Sequence, residues 1–192
     1  AKLLQKPSVQ LPLIMIVEYA LARLWMSWGV EPDALVGHSM GENTAACLAG
    51  VIGYEDCIGL VLLRGQLFDT VPAGGMLSVG MAANDLGELL DGNLEIAGIN
   101  APELTVVSGP DGSLKKLAKI LAAQDIDCQR IPIDIAAHSS MLEPILGRFG
   151  DYLRSIPRRS CHPLGGLGFT LGEFHRAGHR ISNGRHHCPR DH

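Results

Sequence analysis

The chain has 192 residues, of which 46% are hydrophobic and 19% charged, with a formal net charge of -4. That length suits one domain, or one domain carrying a smaller insert; the composition excludes disorder over most of the chain, and the charge gives no electrostatic case for nucleic acid. The five cysteines, Cys47, Cys57, Cys128, Cys161 and Cys188, are odd in number and contain no C-x-x-C pair, which argues against a disulfide framework and for a reducing, cytoplasmic setting.

The chain opens abruptly at "AKLLQKP", without an initiator Met, which reads as the start of a fragment. No basic n-region with a small-residue cleavage site precedes the first apolar run, so no signal peptide is expected. That run, "LPLIMIVEYALARLWMSW" from Leu11 to Trp28, has the length of a membrane span. Glu18, Arg23 and an early proline make a buried helix the expectation, with no membrane association. A short strand at Ala34 to Val36, a sharp turn at Ser39, a helix from Gly41 to Ala49 and a helix from Glu55 to about Asp69 follow, until "VPAGG" breaks the pattern. Alternating helix and strand is the mark of an α/β sheet.

From Met76 the texture changes. "MLSVGM" reads as a strand, "NDLGELL" as a short helix, "LEIAGIN" and "ELTVVSG" as strands joined by a turn at Ala101-Pro102, "SLKKLAKILAAQ" as an amphipathic helix and "DCQRIPID" as a last strand. The order βαββαβ over Met76 to Asp134 is that of a ferredoxin-like unit, compact enough to sit as an insert. In its second helix Leu114, Leu117, Ile120 and Leu121 share an apolar face, and Lys115, Lys116 and Lys119 are read as solvated. "IAAHSSMLEPILGRFGDYLRSI" returns to helical character. Residues 160–192 hold six of the eight histidines, no lysine and no sustained apolar period. Their composition is that of an out-of-frame translation, and a frameshift or truncated gene near Arg158 is the expectation.

"GHSMG" fits G-x-S-x-G, with Gly37, Ser39 and Gly41 in the fixed places. A sharp strand-to-helix turn lifts the serine oxygen clear of the sheet, and flanking glycines avoid side-chain clashes. Ser39 then lies at a helix N-terminus, with the Met40 N–H pointing where an oxyanion would form. The competing reading is that Ser39 only caps the helix that follows. A nucleophilic serine needs a base. His138, 99 residues downstream in "AAHSSMLEP", is the leading candidate, against a plain helix-start or partly buried histidine. His38 adjoins Ser39, but its side chain is expected to diverge in the turn and serve as a wall. Arg64 interrupts the apolar "CIGLVLLRGQL": either it faces a cleft, where a substrate carboxylate would pair with it, or it lies on the surface of an amphipathic helix.

Together these residues resemble the acyltransferase (malonyltransferase) domain of modular polyketide synthases and type I fatty acid synthases. The matching stretches are "VEYALARLWMSWGVEPDALVGHSMGENTAACLAGV", "LVLLRGQLFD", "PAGGMLSVG", "INAPELTVVSGP" and "AAHSSMLEPIL", in order over about residues 8–157. The resemblance implies an α/β-hydrolase-like large subdomain with an inserted ferredoxin-like small subdomain: 1–75 the first part of the large subdomain, 76–134 the insert, 135–158 the return with the catalytic histidine, and 159–192 an aberrant tail, frameshifted or disordered. It implies that Ser39 attacks an acyl-CoA thioester, malonyl-CoA or methylmalonyl-CoA, without a bound cofactor. His138 would take the serine proton and later activate the phosphopantetheine thiol of an acyl carrier protein. Arg64 would pair with the free carboxylate of the extender, favouring it over acetyl, and Met40 would supply one oxyanion N–H. The partners implied are the carrier protein and neighbouring synthase domains such as the ketosynthase.

The chain also departs from the family. Gln10 resembles the glutamine that opens a "Q-P-A-L" stretch and is a substrate-side candidate, but Leu11 stands where the pattern has proline. "IAAH", ending at His138, matches neither the "HAFH" of malonyl-selective domains nor the "YASH" of methylmalonyl-selective ones, and Met40 leans to malonyl, so extender choice stays open. The upstream "GQG" segment with the second oxyanion contributor is absent. A poorly active fragment is therefore one competing expectation, since one lost donor costs about 10²- to 10³-fold. After "SIP" the family's "S-N-x-x-G" turn has only a weak echo in "ISNG" at Ile181 to Gly184. A second alternative is a serine hydrolase using Ser39 and His138, for which only an acid of the insert such as Asp134 could orient the histidine. A third is metal binding by Cys161, His175, His179, His186, His187 and Cys188, although no paired cysteine motif is present.

Overall fold

The structure, a computed structural model, describes Leu4 and residues 6–157. The six candidate metal ligands of the tail and the "ISNG" echo lie outside the described residues. Among the described residues no group of three or more His, Cys, Asp or Glu is placed to hold a metal ion.

Three helices come first: α1 (Pro7–Ser27), α2 (Gly41–Leu48) and α3 (Tyr54–Phe68). Pro7 starts α1 at a position whose N–H has no helical partner anyway. α1 packs on α3 and α2, and it comes close at Gly65 of α3, where a Cβ would lie 2.6 Å from Pro7 O. Met15, Cys47, Cys57 and Val61 fill that contact. Glu18, the acidic residue within the apolar run, accepts a 2.6 Å hydrogen bond from Thr44 Oγ1 of α2. The helix is not buried as expected. Met15 is its buried residue, while Val17, Leu21, Leu24 and Trp25 are exposed, because α2 and α3 cover one side only. By length and composition alone α1 would also suit a membrane span.

A second correction concerns Ala34 to Val36, which form no strand. A strand exists where a neighbour takes its ladder hydrogen bonds. Among the described residues none runs beside this segment, and Val36 is 97% exposed. The 34–36 segment leads into the Ser39 turn as extended, unpaired chain.

The remaining elements are β1 (Gly75–Val79), α4 (Ala83–Gly87), β2 (Glu95–Ala101), β3 (Leu104–Gly109), α5 (Asp111–Ala123), β4 (Cys128–Ile131), a 3-10 turn (Ser140–Leu142) and α6 (Glu143–Ser155). The four strands form one antiparallel sheet in the order β2-β3-β1-β4. Strand alternation divides it into two faces. Leu77, Val79 and Val107 pack with Leu86 of α4 and with Leu114, Leu117 and Leu121 of α5. Met76 and Val106 point the other way, to Leu60, Leu67 and Phe68 of α3 and to Ile145 and Phe149 of α6. Ile120 does not share the buried face of α5 as the pattern suggested; it is 42% exposed, one residue off the Leu117 and Leu121 stripe. The lysines of α5 are exposed.

The second face of the sheet, roofed by α3, is therefore where the chain leaves space. The cleft lies between helices and sheet.

Candidate active site

Ser39 sits at the entry to α2 with φ +52, in the left-handed region. Such a backbone costs a non-glycine residue about 1–3 kcal/mol and persists only when its surroundings hold it. The turn is held by Gly41 N–H bonding to His38 O (3.0 Å) and Glu42 N–H to Ser39 O (3.2 Å). It is so tight that a Cβ on Gly37 would collide with the backbone of Gly41 and Glu42, whereas a Cβ on Gly41 would meet nothing within 4 Å. Of the two motif glycines, only Gly37 is sterically required.

His138, on the segment between β4 and α6, reaches the same point from the other side of the cleft. Its Nε2 lies 3.1 Å from Ser39 Oγ. It too is left-handed, with φ +61, and Ser139 Oγ braces the loop by donating to Ala136 O at 2.7 Å. Burial pushes the imidazole down to about 4, with further lowering from the Arg64 guanidinium and from His38. At neutral pH the ring is uncharged, so Nε2 can accept the Ser39 hydroxyl proton. A serine oxygen and a neutral imidazole at this distance have the geometry that a nucleophile and its general base require.

Arg64 faces the cleft. On α3 it lies three or four residues from Leu60, Val61, Leu67 and Phe68, all buried, which turns its side chain inward. The guanidinium stands 5.4 Å from the Phe68 ring centroid, and its Nη1 is 3.9 Å from Met40 Sδ. Met40 thus forms a wall beside the elbow, fixed by Asn43 Nδ2 donating to Met40 O at 3.1 Å. The cavity holds about 250 Å³ and brings Ser39, His138, Arg64, His38 and Met40 together with Phe68, Met76, Val106 and Ile131. No carboxylate lines it among the described residues.

Two sequence candidates end up elsewhere. Gln10 lines a smaller neighbouring cavity of about 50 Å³ that shares Leu11, Phe68, Ile133 and Ala137 with the Ser39 cleft. Asp134, the acid available to a hydrolase triad, is 96% exposed and turned to Arg130 at 3.9 Å. His38 lines the same cleft as Ser39, and its Nε2 meets Asn100 Oδ1 at 3.2 Å. Sequence reasoning assigned Asn100 no role. Its place beside the Ala101-Pro102 turn was a signal of chain reversal, not of cleft geometry.

A serine on a tight turn before a helix, a neutral histidine within hydrogen-bond reach and an arginine in one cleft are the parts that acyl transfer through a serine nucleophile requires. A sequence profile described as the acyl transferase domain matches residues 2–162. The chain belongs to this family. It is 41% identical over 168 residues to polyketide synthase GfsE of Streptomyces halstedii, covering 84% of this chain and 4% of that one. It is 38% identical over 162 residues to the PKS-NRPS hybrid synthetase acdB of Aspergillus candidus, covering 81% and 6%. Among solved structures, the acyltransferase domain from the second module of the salinomycin polyketide synthase superposes with a TM-score of 0.78 at 34% identity, covering 83% of this chain and 39% of that one. The chain thus spans a small part of the curated relatives and well under half of that solved chain.

Proposed function

We propose that this chain forms the nucleophile-bearing part of a polyketide synthase acyltransferase domain, which moves a malonyl-type group from CoA to the phosphopantetheine thiol of an acyl carrier protein. The observation that carries the reading is the Ser39 Oγ to His138 Nε2 distance of 3.1 Å in a cleft that also holds Arg64. Ser39 Oγ attacks the thioester carbonyl as His138 takes its proton. The C–S bond then breaks, the CoA thiolate leaves with that proton, and the acyl group stays on Ser39 as an ester. The carrier thiol repeats the sequence in reverse, with His138 taking the thiol proton and returning it to Ser39. Arg64 pairs with the free carboxylate of the extender, Met40 N–H donates to the oxyanion, and His38 walls the site, while Gln10, in the adjoining cavity, is given no step. No resident cofactor is needed for this chemistry, and the setting is cytoplasmic.

In this reading the antiparallel sheet with α4 and α5, residues 76–134, is a ferredoxin-like small subdomain. Residues 1–75 and 135–158 belong to an α/β-hydrolase-like large subdomain, and a ketosynthase is a neighbouring domain. The exposed position of Asp134 weighs against a hydrolase triad.

The test is to incubate the chain with malonyl-CoA and then with holo carrier protein, following intact mass. Malonylation of the peptide containing Ser39, then its transfer to the carrier, is the expected result. Release of free malonate without carrier loading would reject transfer.

A further inference from the structure

β2 is bonded to a neighbour of each member of the Ser39 and His138 pair. At its start, Glu95 Oε1 accepts from Ser140 N–H at 2.9 Å and from Ser140 Oγ at 2.5 Å, two residues beyond His138. Near its end, Asn100 Oδ1 meets Nε2 of His38, the residue before Ser39, at 3.2 Å. The strand is irregular between these points. Its register with β3 shifts between Ile96 and Gly98 and again between Ile99 and Ala101. Ala97 and Asn100 are left without an opposite residue, and both line the cleft. A bulge re-aims the side chain it carries; here both bulges turn toward Ser39 and His138. Glu95 lies opposite Ser108, on the same side of the sheet as Met76 and Val106.

Both reacting residues carry left-handed backbones, with φ +52 at Ser39 and φ +61 at His138. Neither conformation is the intrinsic choice of a serine or a histidine. Bonds within each turn hold it from inside, and from outside one strand holds a neighbour of each.

We propose that β2 is a brace that sets the Ser39 to His138 separation, with Glu95 a positioning residue for the base and Asn100 a positioning residue for the nucleophile turn. The inference rests on the seryl-ester reading above for its kinetic consequence, though not for its geometry. Releasing the Ser140 end lets the His138 loop move, and a displacement of about 1 Å at a reacting group costs up to about 100-fold in rate.

The experiment compares E95A with E95Q, and N100A with N100D, in the full chain. Gln and Asp keep an acceptor oxygen; the Ala variants lose it. Two readouts are followed: the rate of Ser39 malonylation by malonyl-CoA, and the titration of the His138 ring by NMR. The charged and titratable groups that face His138 are Arg64 from α3 and His38 from the elbow, and all four variants keep both. For E95A we expect a 10- to 100-fold slower rate at unchanged KM, and a His138 titration moved up from about 4 toward that of a solvated imidazole. E95Q keeps the wild-type rate and titration. A mere charge effect would move E95A and E95Q together, and equal behaviour of the two would overturn the brace. If wild type takes no malonyl group, the proposed function fails while the titration still decides the brace. Should E95A not fold, N100A against N100D makes the same comparison at the other end of the strand.

Discussion

Ser39 Oγ and His138 Nε2 stand 3.1 Å apart although 99 residues separate them in the chain, and each sits on a left-handed backbone. In the proposed reaction one oxygen provides the bond-forming electrons and one ring nitrogen takes the proton, so the two substitutions should differ in kind. S39A should abolish malonylation outright, with no acylated peptide by mass. H138A should leave the nucleophile in place and slow acylation by about 10²- to 10⁴-fold, the usual range for a general base. Equal residual rates in both variants would place the acylated residue elsewhere.

The low proton affinity of His138 gives an acid limb far from that of an ordinary imidazole. Because the proposed reaction uses the free base, kcat/KM for acylation should stay flat from neutral pH to about 5 and fall by half near 4. Stability follows the same group. The unfolded histidine titrates near 6.5 and the folded one at about 4, so the unfolded state binds more protons between these values. The contribution is complete above about 6.5 and is lost as pH falls toward 4. Urea unfolding at pH 7 and pH 5 should show that slope, and H138N should reduce it.

Arg64 should govern which acyl group enters. With R64A, the preference for malonyl-CoA over acetyl-CoA should fall by about 10- to 100-fold, the worth of a hydrogen bond to a charged group. R64K should recover only part of it, since an ammonium offers no planar fork to a carboxylate. Competition between the two thioesters measures this directly, and an unchanged ratio in R64A would remove Arg64 from recognition.

The two glycines of the elbow should separate. G37A forces a Cβ into the backbone of Gly41 and Glu42 and should lower stability by about 1–3 kcal/mol, with loss of acylation. G41A has open space around it and should leave thermal unfolding within about 0.5 kcal/mol of wild type.

The face of α5 can be tested by paired truncations. Leu117 is 2% exposed and packs in the core under the sheet, so L117A should cost about 2–5 kcal/mol. Ile120 is 42% exposed, and I120A should change stability by no more than about 0.5 kcal/mol. Chemical denaturation of both variants checks the pair.

Local rules carried much of this protein in its sequence. The glycine-serine-glycine turn before small helix-forming residues marked Ser39, strand and helix periods marked each strand and α-helix from β1 to α6, and their order is the order observed, while the 3-10 turn Ser140–Leu142 went unmarked. These features depend on residues close in the chain, where dihedral preference and periodicity act. Tertiary contact decided what periodicity could not. Whether Arg64 faces water or the cleft depended on Phe68 and Met40 beside it, and Ala34 to Val36 failed as a strand because a ladder needs a neighbour. Ile120 shows the limit of a stripe drawn at helical spacing: Leu114, Leu117 and Leu121 are buried, while Ile120, one residue off their line, is 42% exposed. The meeting of His138 with Ser39, the bulges that aim Asn100 and the clasp of Glu95 on Ser140 join segments 45 to 99 residues apart. No local preference encodes such a distance; the packing of β2 and α3 around one cavity does.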